Sequence, residues 1–219
     1  MTEGNSGHVP QEETEPWDKA PHGVGPWLGD WPEGDHWDPE LLREGDRRNV
    51  VDKYRYWRRE AIIADLDTVR HSFHIAIENW QHDMNIGSVV RTANAFNVGA
   101  VHIVGKKRWN RRGAMVTDRY QHIIHHETVG DLVHWCSEHE LVLLGIDNFP
   151  DSVPLETFEL PVRCMLFFGQ EGPGLSEAAH RACQSVLSIA QYGSTRSINA
   201  AAAAAIAMHA WIRVHGAPV

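Results

Sequence analysis

Three short segments of the chain combine glycines with polar side chains in arrangements that suit ligand binding. In the first, Asn85 precedes a predicted helix, and Arg91 follows Gly87 by one helical turn. An asparagine at this position can satisfy a free backbone N–H, and a glycine in the first turn lets another backbone or a ligand approach closely. On its own, this pattern is also that of an ordinary capped helix with a surface arginine.

The second segment is rich in glycine and follows a very apolar stretch of chain. Gly169, Gly172 and Gly174 fall within six residues of one another. Between them lies Glu171, whose carboxylate suits a ligand hydroxyl or a structural backbone N–H. Ser176 is placed to cap the next helix. The glycine spacing differs from the dinucleotide fingerprint, which argues against a nucleotide-binding dehydrogenase.

The third segment leads into a helix rich in alanine. Gly193 and Ser197 precede Asn199, which is followed by six alanines at 200–205. Ser197 is readily explained as a helix cap. Asn199 at the third helical position is harder to explain, because asparagine forms helices less well than alanine. The alanines suit a closely packed helix, either in the core or at a subunit interface.

Strands and helices alternate along the chain from residue 73 onward, and this alternation positions the three segments. The predicted strands are 73–77, 101–104, 141–146, 164–168 and 186–189. The predicted helices are 86–96, 129–139, 176–183 and 198–214. Continuous apolar strands separated by helices indicate the α/β class, with a parallel sheet flanked by helices. Ligands bind beyond the carboxyl ends of such strands, where all three segments fall.

The chain of 219 residues has a formal net charge of −9, and the acidic residues are concentrated near its start. Residues 1–45 are acidic, contain four tryptophans and are poor in aliphatic side chains, so we expect a disordered or loosely docked tail. The tryptophans are either scattered aromatics or contacts that hold the tail to the folded part or to a partner. Residues 46–70 are predicted to form a basic amphipathic helix, with a solvated or a phosphate-binding face. The remaining residues, 71–219, form the predicted main domain.

Composition excludes several classes of protein. No apolar run reaches the roughly 18–20 residues that span a bilayer, and no secretory signal is recognisable at the start. The three cysteines are widely spaced and form neither a disulfide framework nor a metal-binding pair. His122, His125 and His126 cluster without a cysteine or carboxylate at ligand spacing, so we expect no metal site. A cytoplasmic protein without a membrane anchor fits these features.

Taken together and in this order, the three segments resemble the SpoU (TrmH) family of RNA ribose 2′-O-methyltransferases, within the SPOUT class. The matching patterns are Asn85-x-Gly87-x-x-x-Arg91, Gly169-x-Glu171-Gly-x-Gly-Leu-Ser176 and Ile189-x-x-x-Gly193-x-x-x-Ser197-Ile198-Asn199. The resemblance covers roughly residues 73–214. The chain departs from the family at Ala190 and Gln191, where proline and methionine are usual. Alanines also follow Asn199, where Val-Ser-Val is common.

The resemblance implies a C-terminal trefoil knot whose loops bind S-adenosylmethionine, and a homodimer that includes the last helix. Eight residues are implied in cofactor binding: Gly145, Ile146, Gly169, Glu171, Ile189, Gln191, Gly193 and Ile198. The implied reaction moves a methyl group to a ribose 2′-hydroxyl of tRNA or rRNA, without a metal. Five residues are implied at the reacting centre: Asn85, Arg91, Glu171, Ser197 and Asn199. Arg91 would act there as proton acceptor or as a clamp on phosphate and hydroxyl.

A cluster of basic residues directly follows the second predicted strand. The candidate RNA-binding residues are Lys106, Lys107, Arg108, Trp109, Arg111 and Arg112. Basic side chains bind phosphates, and an aromatic ring can stack on a base. The alternative is a solvated charged loop. A second interpretation of the whole chain is an RNA-binding protein that keeps the fold without turnover, although all five polar site residues are present.

Overall fold

A seven-stranded parallel sheet organises the larger part of the chain. The computed structural model describes residues 23–81 and 84–216. The strands are β1 (His74–Asn79), β2 (Val101–Gly105), β3 (Ile123–His126), β4 (Val142–Ile146), β5 (Val153–Pro154), β6 (Cys164–Phe168) and β7 (Ser185–Ser188). Their order across the sheet is β3-β2-β1-β6-β4-β7-β5, and every neighbouring pair is parallel. The predicted parallel α/β fold is therefore confirmed, while β3 and β5 were not predicted.

Helices follow most of the strands, and their ends are fixed by side-chain caps. The helices are α1 (Pro39–Glu44), α2 (Arg59–Asp67), α3 (Ile86–Ala95), α4 (Val129–Glu138), α5 (Glu177–Ala182) and α6 (Ala200–His215). Ser176 caps α5 as predicted, since its hydroxyl accepts the N–H of Ala179 at 3.1 Å. The cap of α6 is Asn199 and not Ser197, because the Asn199 side chain accepts the N–H groups of Ala201 and Ala202. In the described chain, every helix is too short or too polar to cross a membrane.

Both faces of the sheet are buried, as continuous apolar strands predict. Leu166 and Phe168 of β6 face one core cluster, which includes Trp211 of α6. Met165 and Phe167 alternate with them and face the other cluster, beneath α4 and α5. Successive side chains of a strand point to opposite faces, so a strand buried on both sides is apolar throughout. This explains why the runs at β1, β4 and β6 were recognisable in the sequence.

Gly87 permits a close contact between α3 and the loop that follows β2. A Cβ atom at this position would lie 2.7 Å from the backbone nitrogen of Gly113 and 2.8 Å from that of Ala114. Any larger residue at 87 would therefore push the two backbones apart. Gly87 therefore permits the close approach of another backbone segment. The sequence predicted either a backbone or a ligand at this position.

Three histidines form a hydrogen-bonded chain across the strands β1, β2 and β3. The Nδ1 of His74 lies 3.1 Å from Nε2 of His102, and Nδ1 of His102 lies 2.8 Å from Nε2 of His126. Burial lowers the pKa of His74 to about 4 and that of His102 to about 2, because the charged imidazolium loses its hydration there. Among the described residues, no group of three or more histidine, cysteine or acidic side chains is arranged to hold a metal ion.

Contacts divide the chain into two compact units between Arg58 and Arg59, and the sheet belongs to the second. In the first unit, the buried Asp46 carboxylate accepts hydrogen bonds from Arg48 and from the backbone N–H of Tyr56. Aromatic rings pack around it, from Trp27, His36, Trp37, Tyr54, Tyr56 and Trp57. Residues 23–45 contain α1, and the rings of Trp27 and Trp37 contact Tyr56 and Trp57, which agrees with the second of the two roles predicted for the tryptophans. Residues 1–22, including Trp17, lie outside the described part.

The helix predicted over residues 46–70 is present only in its second half, as α2. Before it lie a short 3-10 turn at Asp52–Tyr54 and Tyr56, whose φ of 62° is incompatible with a continuous helix. Arg55 donates to the carbonyl of Arg48 at 2.7 Å. The basic side chains there thus partly satisfy local backbone groups, an arrangement that helical periodicity does not reveal.

Candidate active site at the carboxyl ends of the strands

The three glycine-containing segments leave neighbouring strands at the same edge of the sheet. The first follows β1, the second follows β6 and the third follows β7. Strand β6 pairs with β1 on one side and with β4 on the other, and β4 in turn pairs with β7. Because these strands are parallel, their carboxyl ends lie together. The topology therefore brings together segments that are far apart in the sequence.

One polar side chain from each segment joins a common hydrogen-bond network, which we call the Asn–Glu–Asn network. The amide of Asn85 donates to Oε2 of Glu171 at 2.6 Å. The amide of Asn199 donates to Oδ1 of Asn85 at 2.8 Å and to the same Glu171 oxygen at 3.2 Å. The backbone N–H of Ala200 also donates to that oxygen, at 3.2 Å. The carboxylate is thus the shared acceptor of three donors from two other segments.

The prediction that the Asn85 side chain caps α3 is wrong. Asn85 stands at the cap position, but its own backbone is helical and its side chain makes no cap hydrogen bond. Its amide turns to Glu171 instead, since a hydrogen bond to a charged acceptor is stronger than one between neutral groups. A residue type that is common at helix ends therefore serves here to connect two loops.

Beside the network lies an open cleft with a cavity volume of about 150 Å³. Seven of the residues predicted from the sequence line it: Ile146, Gly169, Glu171, Ile189, Gln191, Ser197 and Ile198. Its lining also includes Asp147 and Asn148, which directly follow β4. The side-chain oxygen of Gln191 is buried and, among the described residues, has no hydrogen-bond partner.

Five predicted catalytic or cofactor-binding residues do not line the cleft: Asn85 and Asn199, which belong to the Asn–Glu–Asn network, and Gly145, Gly193 and Arg91. Gly145 faces the core, where a Cβ atom would come within 2.8 Å of Leu175. Gly193 lies in an exposed turn, where a Cβ atom would meet no other atom of the described residues within 4 Å. Arg91 is exposed on α3, one turn beyond Gly87. The structure thus assigns Gly145 to packing and leaves Arg91 open to a large ligand.

Two residues that the sequence analysis missed hold the first and second segments together. The side-chain oxygen of Gln170 accepts the backbone N–H groups of Trp80 and Gln81 at 2.9 and 2.8 Å. The carboxylate of Glu78, fully buried, accepts the indole N–H of Trp80 at 2.8 Å and the backbone N–H of Ser176 at 2.7 Å. The sequence signal for Glu78 was its position at the end of an apolar strand, because a buried acid needs hydrogen-bond partners there.

Asp147 braces the second segment from the neighbouring strand. Its Oδ2 accepts the backbone N–H of Leu175 at 2.7 Å, and its Oδ1 accepts that of Asn148 at 2.7 Å. Gly174 approaches so closely that a Cβ atom there would lie 2.4 Å from the Asp147 carboxylate. Its φ of 72° also favours glycine. The spacing of the glycines in this loop thus reflects loop packing as well as access to the cleft.

The predicted RNA-binding loop exposes its charged residues but not its aromatic one. The exposed cations are Lys106, Lys107, Arg108, Arg111 and Arg112. Trp109 is only 9% exposed and belongs to the hydrophobic core. The prediction that its ring stacks on a base is therefore contradicted by its burial. Asn79 fixes the loop above this ring by donating to the carbonyls of Lys106 and Arg108 at 2.6 and 3.0 Å.

Three loops converge beside a cleft at the carboxyl ends of the strands of a parallel sheet. This arrangement is typical of α/β proteins that bind a ligand. The model of the SpoU rRNA Methylase family matches residues 72–209. The chain therefore belongs to the SpoU family, as its motifs predicted. The first unit and α2 lie before the matched region. Among curated proteins, none matches the chain.

Solved structures of similar fold agree with this assignment. The SpoU methyltransferase AviRb from Streptomyces viridochromogenes, in complex with AdoMet, is 24% identical with a TM-score of 0.60, covering 68% of this chain and 63% of that one. The AdoMet-bound rRNA methyltransferase from Sinorhizobium meliloti is 21% identical with a TM-score of 0.60, covering 68% and 60%. The TrmH/SpoU tRNA modifying enzyme from A. aeolicus is 18% identical with a TM-score of 0.63, covering 71% and 81%. The chain thus spans about three-fifths of the first two proteins.

Proposed function

We propose that this protein transfers a methyl group from S-adenosylmethionine to a ribose 2′-hydroxyl of RNA, either tRNA or rRNA. The observation that carries the proposal is the Asn–Glu–Asn network, which joins the three family segments beside an open cleft. Family membership supports the reaction class, and two similar structures contain AdoMet. A cytoplasmic location is part of the same proposal.

The cleft suits S-adenosylmethionine in its chemistry. Its apolar wall includes Ile146, Ile189 and Ile198, which match the flat face of an adenine ring. The buried Gln191 oxygen calls for a donor, since an unsatisfied buried acceptor costs about 1–3 kcal/mol. An adenine amino group or the ammonium group of the methionine moiety would supply that donor. When bound, the cofactor provides a methyl group on an electrophilic sulfonium.

The network gives each polar residue a distinct task in this reaction. Glu171 orients both asparagine amides and holds the start of α6 through the N–H of Ala200. Positioning of this kind can lower the activation free energy by up to about 7–11 kcal/mol. Ser197 lines the cleft and is placed to hold the third segment or the substrate.

Arg91 is assigned to the RNA in this proposal. Its exposed side chain stands on α3, whose first turn follows Asn85 directly. A guanidinium stays protonated in proteins, so phosphate binding and orientation of the ribose suit it better than accepting a proton. As the methyl group leaves the sulfonium for the 2′-oxygen, the hydroxyl proton passes to water. The five exposed cations of 106–112 extend the same positive surface, and phosphate contacts of this kind dominate RNA affinity.

A homodimer and a C-terminal trefoil knot complete the proposal. The outer face of α6 carries small and apolar side chains, with Ile206 and Val214 exposed by 44% and 62%. Such a face suits a second copy of the chain, and light scattering would then give twice the mass of 24.7 kDa. The knot would form where the third segment passes the second, and an experimental structure traced through residues 140–216 tests it.

The proposal is tested by methyl transfer with the full chain. Tritiated S-adenosylmethionine is incubated with total RNA from cells that lack the gene, and 2′-O-methylnucleosides are identified after digestion. We expect incorporation by the native protein, and loss of it in Arg91→Ala with cofactor binding by calorimetry nearly unchanged. The remote exposed Glu159→Gln serves as control. RNA binding without methyl incorporation would refute the enzyme and favour a binding protein.

A further inference from the structure

Two apolar side chains protrude from the loop between β2 and β3. Met115 and Val116 are 58% and 55% exposed. Both have left-handed backbone conformations, with φ of 47° and 70°. Such a conformation is unfavourable for any residue with a side chain and is an outlier for a β-branched one. Strained backbone of this kind persists only where the surroundings enforce it, and it is concentrated at functional sites.

The backbone on both sides of the pair is fixed. Gly113 packs against α3 so closely that a Cβ atom would lie 2.8 Å from the nitrogen of Ser88. Ala114 is fully buried, and the hydroxyl of Thr117, itself buried, donates to its carbonyl at 2.7 Å. The fold thus holds the pair outward on a rigid base. We call Met115 and Val116 the apolar tip.

The apolar tip is surrounded by positive charge. Arg111, Arg112 and Arg119 are exposed on either side of it, and Arg111 forms an ion pair with Asp118 at 3.6 Å. Loop 113–114 packs on Gly87, which shares a helix face with Arg91 one turn later. The tip therefore continues a loop that packs on the helix carrying Arg91, the side chain that the proposed function assigns to the target ribose.

We propose that the apolar tip contacts the face of an unstacked base in single-stranded RNA, next to the nucleotide that is methylated. The inference rests on the proposed function. Arginines attract the phosphates, while the two side chains offer the base an apolar surface. In a duplex the base faces are covered by stacking, so the tip has no surface to contact there. The tip thus selects unpaired RNA.

The test compares two variants of the full chain on two probes. The double variant Met115→Ser, Val116→Gly removes the apolar surface, and glycine relieves the strain at 116, so the fold is kept. Val162→Ser, at an exposed apolar position in another loop, is the matched control. The probes are a fluorescein-labelled RNA of about 12 nucleotides without secondary structure, a length that fills a typical single-strand site, and an RNA duplex of the same sequence. Both are titrated at several salt concentrations.

For the double variant we expect about tenfold weaker binding of the single strand, as for loss of one base contact. We expect less than about a twofold change on the duplex, and an unchanged salt slope on both probes. Arg111→Gln, Arg112→Gln should instead weaken both probes and lower the salt slope by about one per arginine. Equal losses on both probes, a lower salt slope for the double variant, or unchanged binding would each overturn the inference.

The two proposals fail in distinguishable ways. Native protein that binds RNA but incorporates no methyl group refutes the proposed function, while the comparison of probes still decides the role of the tip. Native protein that transfers methyl groups, with the double variant as active and as tight on single strands, refutes the tip alone. Native protein that binds neither probe refutes the role of the tip, while methyl incorporation into total RNA still decides the proposed function.

Discussion

Asn199 combines two tasks that substitution can separate. Its side-chain oxygen caps α6 through Ala201 and Ala202, while its amide donates to Asn85 and Glu171. Asn199→Ala removes both contributions. Asn199→Ser keeps a capping oxygen, because serine is about as good a cap as asparagine, but it removes the amide donor. The pair of variants therefore distinguishes stability of the helix from geometry of the site.

The expected magnitudes follow from these contacts. Loss of the cap costs about 1 kcal/mol, which in a chain of this size lowers Tm by roughly 2–4 °C. Loss of a hydrogen bond to a charged acceptor is worth about 1.5–3 kcal/mol. If that energy is expressed in the transition state, methyl transfer falls about 10- to 100-fold. Asn199→Ala should show both effects, and Asn199→Ser only the second.

Thermal unfolding and methyl transfer are measured on the same preparations, with the exposed Asn49→Ser as control. An Asn199→Ser variant that transfers methyl groups as fast as the native protein would show that the network has no role in catalysis. An Asn199→Ala variant with an unchanged Tm would show that Asn199 does not stabilise the helix. Either result would refute the corresponding part of the reasoning.

Three further predictions concern residues around the site and in the core. Glu78→Gln should destabilise the protein by about 1–3 kcal/mol, because the amide keeps one acceptor oxygen but turns an NH2 donor toward the second buried N–H group. Urea denaturation measures this, and an unchanged midpoint would contradict it. Gly87→Ala should lower the free energy of unfolding by about 1–3 kcal/mol, because the added methyl group clashes with the packed loop. Gly130→Ala, whose nearest contact is 3.5 Å away, should leave this free energy unchanged or raise it. Equal effects of the two substitutions would be inconsistent with close packing at Gly87. Acid should weaken the fold, because the pKa values of His74 and His102, about 4 and 2, lie below the 6.5 of the unfolded chain. Above a pH of about 6.5 these histidines are neutral in both states and cost no stability. Below it the unfolded chain binds protons first, so the free energy of unfolding falls by about 2 kcal/mol per histidine at about pH 5. Equal urea midpoints at about pH 7.5 and pH 5 would show that these imidazoles are not buried as neutral groups.

The sheet was predictable because its central strands are buried on both faces. Strands such as β4 and β6 are uninterrupted apolar runs, and the loops that follow them carry the glycines of the site. The edge strand β3 was missed because its sequence, Ile-Ile-His-His, is half polar. Its last residue, His126, belongs to the chain of imidazoles between strands, and His125 contacts the carbonyl of Gly105. Both contacts exist only after the sheet has formed.

The three residues of the Asn–Glu–Asn network could be selected from the sequence, but their connections could not. Asn85, Glu171 and Asn199 have the right types and spacing, yet the sequence does not show that they bond to one another across 114 positions. The side chain of Gln170 binds loop backbone groups, which leave no mark in the pattern, and Glu78 was marked only by its place at the end of an apolar strand. Trp109 illustrates the opposite error, since an aromatic in a basic loop resembles a base platform but is here the anchor of that loop.

The position of β6 between β1 and β4 has a consequence for synthesis of the protein. On the ribosome, β1 and β4 emerge well before the strand that lies between them, so each exposes an unpaired edge until residue 168 has been added. The central pairing of the sheet is therefore late, and the carboxylate that unites the loops can meet its last partner only after Asn199 has been translated. A nascent chain released before that point contains the strands but not the complete Asn–Glu–Asn network.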